Sequence, residues 1–227
     1  MADLSALVTR SRGRGNIGRR SYQTSFPLTE GILSEGGIWV APSANWTKLR
    51  TVPGICYGNQ TGDNGTDDSI AHLSGSWSAD QDVSGVVHIG TRPGDFSELE
   101  LLLHFDVNLG HGYECYMSVV ADGNKYAHIT RWDGWNGGTN QTIFTDLVSL
   151  DDTQFSQVNN GDVVRATIVA GVINVYLRGS LLMGPHDING DATKYLTGAP
   201  GLGHFSQTKA STSEWGWASY TAQEYAA

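Results

Sequence analysis

The stretch GDVVRATIVAGVINVYLRGSLLMGPHD (residues 161–187) decides the fold class of this chain. Side chains in residues 163–170 alternate with a period of two, which is the pattern of a β-strand with two different faces. The chain then turns around Ala170–Gly171 and returns through a second alternating run, residues 172–178. Two alternating runs joined by a short Gly-containing turn predict a β-hairpin.

The rest of the chain repeats this pattern. Short apolar or alternating runs recur about every 10–15 residues, separated by Asn-Gly, Asp-Gly and Pro-Gly turns. Neither heptads nor a long segment of helical period interrupts them, and 29 of the 227 residues are Gly. The sequence therefore predicts an all-β fold, a two-sheet antiparallel jelly-roll sandwich over residues 23–227, preceded by an extended N-terminal arm, residues 1–22.

Four segments resemble one superfamily. SFPLTEGILSEGGIW (25–39) is similar to the opening of concanavalin A-like (laminin-G-like) jelly rolls, and ELELLLHFDVNLGHGYECYMSVV (98–120) to their central strand pair. The hairpin followed by TGAPGLGHF (197–205) resembles their late hairpin and turn, and WASYTAQEY (217–225) their closing strand. The resemblance covers roughly residues 20–225 and implies the sandwich fold. Lectins, glucanases, lyases and structural domains share that fold, so it does not decide function.

The arm is basic, whereas the rest of the chain is acidic. It contains five arginines and one acid, whereas the rest of the chain holds nine basic residues against 22 acidic ones, a net charge of −13. An acidic body repels nucleic acid, and the arm has no aromatic platform beside its arginines, so we expect no nucleic-acid partner. Because a guanidinium pairs with a carboxylate through two hydrogen bonds, we expect the arm to anchor the protein on a carboxylate-bearing protein surface. The anchoring residues are Arg10, Arg12, Arg14, Arg19 and Arg20.

The location of the protein and the state of its two cysteines are predicted from missing sequence features. No apolar run reaches the roughly 18 residues of a membrane span, and the N-terminus does not resemble a secretory signal. We expect synthesis in a host cytoplasm, release by a route such as host lysis, and no membrane partner. Cys56 and Cys115 are too few for a disulfide framework and lack metal-ligand spacing, so Cys115 in particular is expected to be a buried thiol.

Catalytic patterns are absent from the sequence. Glu98 and Glu100 lie two positions apart and therefore share one face of a strand, where they are expected to face solvent. The E-x-D-x-x-E run of laminarinase-like glycosidases is not completed, since Leu101, Leu102 and Leu103 follow. The Arg-rich and Gln-x-His strands of alginate-lyase-like members are missing as well. We therefore predict no catalytic residues and no enzyme activity.

Glycan binding is the first candidate chemistry. Sugar rings stack their C–H faces on aromatic side chains while neighbouring polar groups take the hydroxyls. The Gly-rich segment RWDGWNGG is predicted to be a turn that exposes its tryptophans; the alternative is a loop folded over the edge of the core. Trp215 and Trp217 share one face of the last strand and are expected in the core. The glycan-binding candidates are Trp132, Asp133, Trp135, Asn136 and Asn140.

Calcium is the second candidate chemistry. HDINGDAT places Asp187, Asn189 and Asp191 at alternating positions, as in the first half of an EF-hand loop. The bidentate Glu of such a loop is missing, since Gly198 stands at its position. Asp and Asn are also the usual turn formers, so an ordinary turn is the alternative. A second loop, TGDNGTDDS, offers Asp63, Asp67 and Asp68 as oxygen ligands. No cofactor is expected to be required; structural calcium is the candidate, and HDINGDAT is the better of the two loops.

These features support one leading function and two alternatives. The leading hypothesis is a non-enzymatic adhesive protein of a phage virion surface, a capsid decoration or head-fibre protein. Its arm would bind a capsid or other virion protein, and its lectin-like domain would hold glycans. A homo-oligomer, with a trimer as the specific guess, fits the three-fold positions of virion lattices. The alternatives are a bacterial carbohydrate-binding module and a polysaccharide hydrolase or lyase.

Overall fold

The computed structural model describes residues 19–61, 68–94, 96–121, 124–135, 142–207 and 210–225, except for the side chains of residues 135 and 142. Within those ranges it contains sixteen strands and one short 3-10 helix, Ile188–Gly190. The strands, in chain order, are β1 Ser21–Thr24, β2 Trp39–Val40, β3 Thr47–Lys48, β4 Arg50–Val52, β5 Ile55–Tyr57, β6 Ser69–Leu73, β7 Gln81–Ile89, β8 Ser97–Asp106, β9 His111–Ser118, β10 Ala127–Trp135, β11 Thr142–Leu150, β12 Val163–Val169, β13 Val172–Leu177, β14 Ser180–Asp187, β15 Ala199–Ser206 and β16 Trp215–Glu224.

The strands form two sheets of eight. The first sheet has the order β14-β13-β12-β7-β16-β5-β4, with β1 also paired to β16. The second sheet has the order β11-β10-β9-β8-β15-β6-β2, with β3 also paired to β6. Of the strand pairs described here, β3–β6 is parallel and the others are antiparallel. The predicted two-sheet jelly-roll sandwich is confirmed.

The hairpin predicted within residues 161–187 is present in the structure. β12 and β13 pair with Val169 opposite Val172, so the loop consists of Ala170 and Gly171. Both loop residues have positive φ, 50° and 79°, which is the backbone twist that suits a two-residue hairpin turn. One face of the hairpin is buried in the core, with Val164, Ala166, Ile168, Ile173, Val175 and Leu177.

The main core lies between the two sheets. Trp215 and Trp217 are 3% and 0% exposed and belong to it, which confirms their predicted place. Cys56 and Cys115 are both buried free thiols, and burial raises the pKa of each thiol above its usual value. Among the described residues, no helix is long and apolar enough to cross a membrane.

Both faces of β8 are covered. Leu99, Leu101 and Leu103 join the main core, whereas Leu102 belongs to a second apolar cluster with Trp46, Ile70, Phe105, Val107 and Trp132. We call the side of the second sheet that carries this second cluster its outer face. Glu98 and Glu100 lie on the same side as Leu102, because side chains alternate along a strand. Glu100 lies on this outer face, and His72 and Asp106 lie at the end of the sheet where β6 and β8 end.

Candidate functional site

A cavity of about 360 Å³ lies at one end of the second sheet. We call it the end cavity. It is formed where β6 and β8 end and β15 begins, together with the loop that follows β6. Its volume lies within the range of about 300–1,000 Å³ that is usual for small-molecule sites. The lining residues are His72, Gly75, Ser76, Trp77, Phe105, Asp106, Thr197, Gly198 and Ala199.

The end cavity combines two aromatic walls with hydrogen-bonding groups. Nδ1 of His72 lies 2.9 Å from the carbonyl oxygen of Leu73. A carbonyl only accepts, so Nδ1 carries the proton and Nε2 of the neutral ring is an acceptor. Burial lowers the pKa of His72, which favours that neutral form. The indole N–H of Trp77 is also buried, and it has no partner among the described residues.

Asp106 adds a carboxylate that is itself held in place. Its Oδ1 accepts the backbone N–H groups of Asn108 and Leu109 at 2.9 and 3.1 Å. These bonds fix the carboxylate at the end of β8, beside Phe105. The end cavity therefore combines two kinds of acceptor and two aromatic rings within one concave space.

Arg20 packs against the outside of this cavity. Its guanidinium lies 4.3 Å from the centroid of the Trp77 ring, within the range of a cation–π contact. The same guanidinium donates to the carbonyl oxygens of Ser74 and Ser76 at 2.5 and 2.8 Å, and the Arg20 backbone N–H donates to Glu224. Arg20, predicted to anchor the protein to a partner, thus holds the wall loop of the end cavity in its own domain.

The other arm residues are not brought into a site. Arg19 is exposed, and Arg10, Arg12 and Arg14 lie outside the described residues. β1 begins at Ser21, inside the predicted arm, and pairs with β16. Anchoring through the arm stays a prediction.

Three carboxylates converge on the outer face of the second sheet. We call Asp68, Glu100 and Glu114 the acid triad; one oxygen of each lies within 4.8 Å of the others. Glu100 is 0% exposed and Glu114 is 2% exposed, so the expectation that Glu100 faces solvent is wrong. Glu98 does share the face of Glu100, as predicted, and accepts a hydrogen bond from the Tyr126 hydroxyl at 2.5 Å.

Burial controls the charge of these carboxyl groups. It raises the pKa of Glu98 to about 8 and that of Glu114 to about 7, and it raises the pKa of Glu100 well above its usual value. Neighbouring carboxylates raise the pKa of Glu100 further. Glu100 and Glu114 hydrogen bond to each other only when one of them is protonated, because two carboxylates have acceptors and no donor. The pair therefore needs a proton or a cation between its oxygens to offset the charge.

Trp132 is part of this buried arrangement. It lies in β10 rather than in a turn, is 7% exposed, and donates its indole N–H to Oε2 of Glu114 at 2.5 Å. Its ring packs against Trp46 and Phe144 at centroid distances of 4.9 and 5.2 Å. The protein itself occupies the surroundings of this indole, and sugar stacking on Trp132 stays a prediction.

The remaining glycan-binding candidates do not gather around Trp132. Asp133 pairs with Arg131 through two hydrogen bonds of 2.7 and 2.8 Å and accepts a third from the Tyr195 hydroxyl. These bonds lower the pKa of Asp133 against the opposing effect of burial. The Trp135 backbone ends β10, its side chain is not described, and Asn136 and Asn140 lie outside the described residues.

The acids of the candidate calcium loop are engaged with the protein. Oδ1 of Asp187 accepts the backbone N–H and the side-chain amide of Asn189 at 2.9 and 2.8 Å, which caps the 3-10 helix. Asp191 lies 3.1 Å from Nε2 of His186, and the Asn189 carbonyl accepts from Lys194. Calcium at this loop stays a prediction, while the acid triad is the group of three acids that converges among the described residues.

The sequence indicated neither the end cavity nor the convergence of Glu100 and Glu114 with Asp68, which it offered only as a calcium ligand within its own loop. Both draw on segments far apart in the chain, so spacing alone could not join them. One signal for the burial of Glu100 was present, because Leu101, Leu102 and Leu103 place apolar side chains on both faces of β8.

Comparison with known proteins supports the fold. No protein-family model and no curated protein sequence matches this chain. The structure of β-agarase A in complex with oligoagarose superimposes with a TM-score of 0.61 at 9% identity, over 95% of this chain and 97% of that one. The carbohydrate-binding module CBM66 from Bacillus subtilis gives a TM-score of 0.52 at 14% identity, over 85% and 96%. The CBM2 module of the evolved Dit of Lactobacillus casei BL23 phage J-1 gives 0.52 at 14% identity, over 91% and 96%.

At these identities the likeness concerns the fold alone. The resemblance found in the four sequence segments extends to the three-dimensional structure. The chain has the concanavalin A-like jelly-roll fold.

Proposed function

We propose that this chain is a non-enzymatic glycan-binding domain that holds a sugar residue in the end cavity. The observation that carries the proposal is the cavity itself, about 360 Å³ of space with Trp77 and Phe105 as aromatic walls. Structures with the same fold include a carbohydrate-binding module and an agarase bound to oligoagarose, which makes a saccharide the first class of ligand to test.

The polar groups of the cavity match an uncharged polyhydroxylated ligand. A sugar carries several hydroxyl groups that can donate to Nε2 of His72 and to the Asp106 carboxylate. The apolar C–H faces of a sugar fit the aromatic walls.

The state of the Glu100–Glu114 pair supports binding without catalysis. Glycosidases place two carboxyl groups on either side of the scissile bond, about 5 Å apart or more. Here an oxygen of each group lies within 4.8 Å of the other, and the two residues are 0% and 2% exposed, which leaves a glycosidic oxygen no access between them. We propose that the carboxyl pair has a structural role and that bound polysaccharide is not cleaved.

A glycan array tests this proposal. The wild-type chain is expected to bind a restricted set of glycans, and His72→Ala to bind the same set at least about tenfold more weakly. His88→Ala is the matched control, since His88 is a partly buried histidine of β7 in the other sheet. Incubation of the bound polysaccharide with the wild-type chain should release no reducing ends. Binding that is unchanged in His72→Ala, or measurable turnover, would contradict the proposal.

We further propose that the domain is displayed on a phage virion, anchored by the arm to a capsid or other virion protein. The basic character of residues 1–20 against an acidic body supports this placement, as does a phage Dit module with the same fold. The contacts of Arg20 with Ser74, Ser76 and Glu224 support a firm junction between arm and domain. A homo-oligomer, with a trimer as the first expectation, belongs to the same proposal.

Deletion of residues 1–18 tests the anchoring role while leaving Arg20 in place. The truncated chain should keep its thermal stability and its glycan binding but no longer co-sediment with virions. The mass of the full chain in solution, measured by light scattering, tests the oligomer. Undiminished co-sedimentation of the truncated chain would refute anchoring through the arm.

A further inference from the structure

The acid triad joins three strands of the second sheet. Asp68 directly precedes β6, Glu100 lies in β8 and Glu114 lies in β9. All three are buried, with exposed fractions of 6%, 0% and 2%. Three carboxyl groups are seldom brought together in a protein interior unless a proton, a cationic side chain or a metal ion offsets their charge.

Glu100 is the member of the triad that lacks a donor. Neither of its carboxylate oxygens accepts a hydrogen bond from a described residue, although the side chain is fully buried. The charged groups that act on it are Glu114, Asp68 and Glu98, all of them acids. Glu114, in contrast, is oriented by the indole N–H of Trp132. The site thus has an orienting contact and, on Glu100, a pair of buried oxygens that receive no hydrogen bond from a donor group of the described residues.

The backbone makes room for this carboxyl group. Gly203 lies opposite Glu100 in the β8–β15 pair, and a Cβ atom at that glycine would be 1.6 Å from Oε2 of Glu100. The space beside Gly203 is therefore occupied by the carboxyl group that points into the triad. Any other residue at position 203 would force the carboxyl group away from Asp68 and Glu114.

The spacing of the oxygens fits one calcium ion. Calcium binds oxygen ligands at about 2.3–2.6 Å, so ligands on opposite sides of the ion lie about 5 Å apart. The three oxygens of the triad lie within 4.8 Å of one another, and all can therefore contact a single ion. Magnesium prefers shorter bonds and keeps several waters, which suits a closed site less well.

We propose that the acid triad of Asp68, Glu100 and Glu114 binds one Ca²⁺ ion that ties β6, β8 and β9 together. The site is separate from the candidate loop around Asp187 and from the end cavity. Its burial makes it a structural site, which would stabilise the sheet and would not contact a glycan.

Terbium luminescence and calcium calorimetry on the full chain test this proposal. After treatment with a chelator, added Tb³⁺ should luminesce on excitation of tryptophan, because Trp132 bonds directly to a proposed ligand. Calcium alone should displace the terbium, bind with a stoichiometry of one and raise the midpoint of thermal unfolding. Absence of both luminescence and calcium heat would overturn the proposal and leave a shared proton as the neutralising group.

Two variants locate the ion. Glu100→Gln removes a charged ligand, yet it resembles a protonated glutamic acid in shape and should fold; its calcium affinity should fall at least about tenfold. Asp187→Asn, in the other acidic loop, should bind calcium as the wild type does. Wild-type affinity in Glu100→Gln, or loss of binding in Asp187→Asn alone, would overturn the assignment.

Discussion

Gly203 faces Glu100 across the β8–β15 pair, and the position that a Cβ would take at residue 203 is 1.6 Å from the Glu100 carboxyl oxygen. A glycine on one strand thus determines where a buried acid on the next strand can lie. The same acid occupies a face of the sheet that is otherwise filled by Leu102, Phe105 and Trp132.

Gly203→Ala is therefore expected to destabilise the protein. The added methyl group and the Glu100 carboxyl group cannot occupy one place, and overpacking of this kind costs roughly 1–3 kcal/mol. Chemical unfolding followed by tryptophan fluorescence measures the loss. Gly31→Ala is the control, since a Cβ there would meet no atom within 4 Å. Equal stability of the two variants would show that Glu100 does not occupy the space beside Gly203.

Protonation of His204 should contribute to unfolding in acid. This side chain is fully buried, and burial lowers its pKa from 6.5 to about 3. Between these values the unfolded chain binds a proton that the folded chain does not bind, so the free energy of unfolding falls as the pH is lowered from 6.5 towards 3. The full effect is about 5 kcal/mol.

Unfolding of the wild type and of His204→Phe at several pH values measures this contribution. Phenylalanine keeps a ring next to Trp215, whose centroid lies 3.8 Å from that of His204. The variant should lose stability less steeply than the wild type between pH 6.5 and pH 4. Parallel curves for the two proteins would refute the assignment of this acid sensitivity to His204.

Arg20 should stabilise both the domain and its end cavity. Arg20→Ala removes the contact with Trp77 and two hydrogen bonds to the loop carbonyls of Ser74 and Ser76, with an expected loss of about 1–2 kcal/mol. Because that loop lines the cavity, glycan affinity should fall as well. Arg19→Ala, at an exposed neighbouring position, should change neither quantity. If the two variants behave alike, Arg20 does not support the cavity wall.

The sequence was sufficient for the fold where local patterns determine it. The hairpin of β12 and β13 follows from alternation and from the positive φ of Ala170 and Gly171, and Trp215 and Trp217 lie in the core as their shared strand face predicts. Alternation also placed Glu98 and Glu100 on one face. It could not show that this face is covered, because the covering residues Trp46 and Trp132 come from other parts of the chain.

The candidate site required the tertiary structure for a similar reason. Trp77, Phe105 and Thr197 are separated by long stretches of sequence and meet because β6, β15 and β8 are neighbours in the second sheet. In the sequence, Trp132 stood out because it lies in a Gly-rich segment. In the structure, its hydrogen bond to Glu114 and its contacts with Trp46 and Phe144 place it inside the outer-face cluster.

Calorimetric titration with the glycan selected by the array tests the central claim most directly. Thr197→Tyr should fill the end cavity from its exposed rim without removing a core residue, and Thr193→Tyr places the same side chain on the same loop outside the lining. Thermal unfolding should confirm that both variants fold like the wild type. We expect Thr193→Tyr to bind as the wild type does and Thr197→Tyr to lose at least about tenfold in affinity. Wild-type affinity in Thr197→Tyr would show that the glycan binds elsewhere.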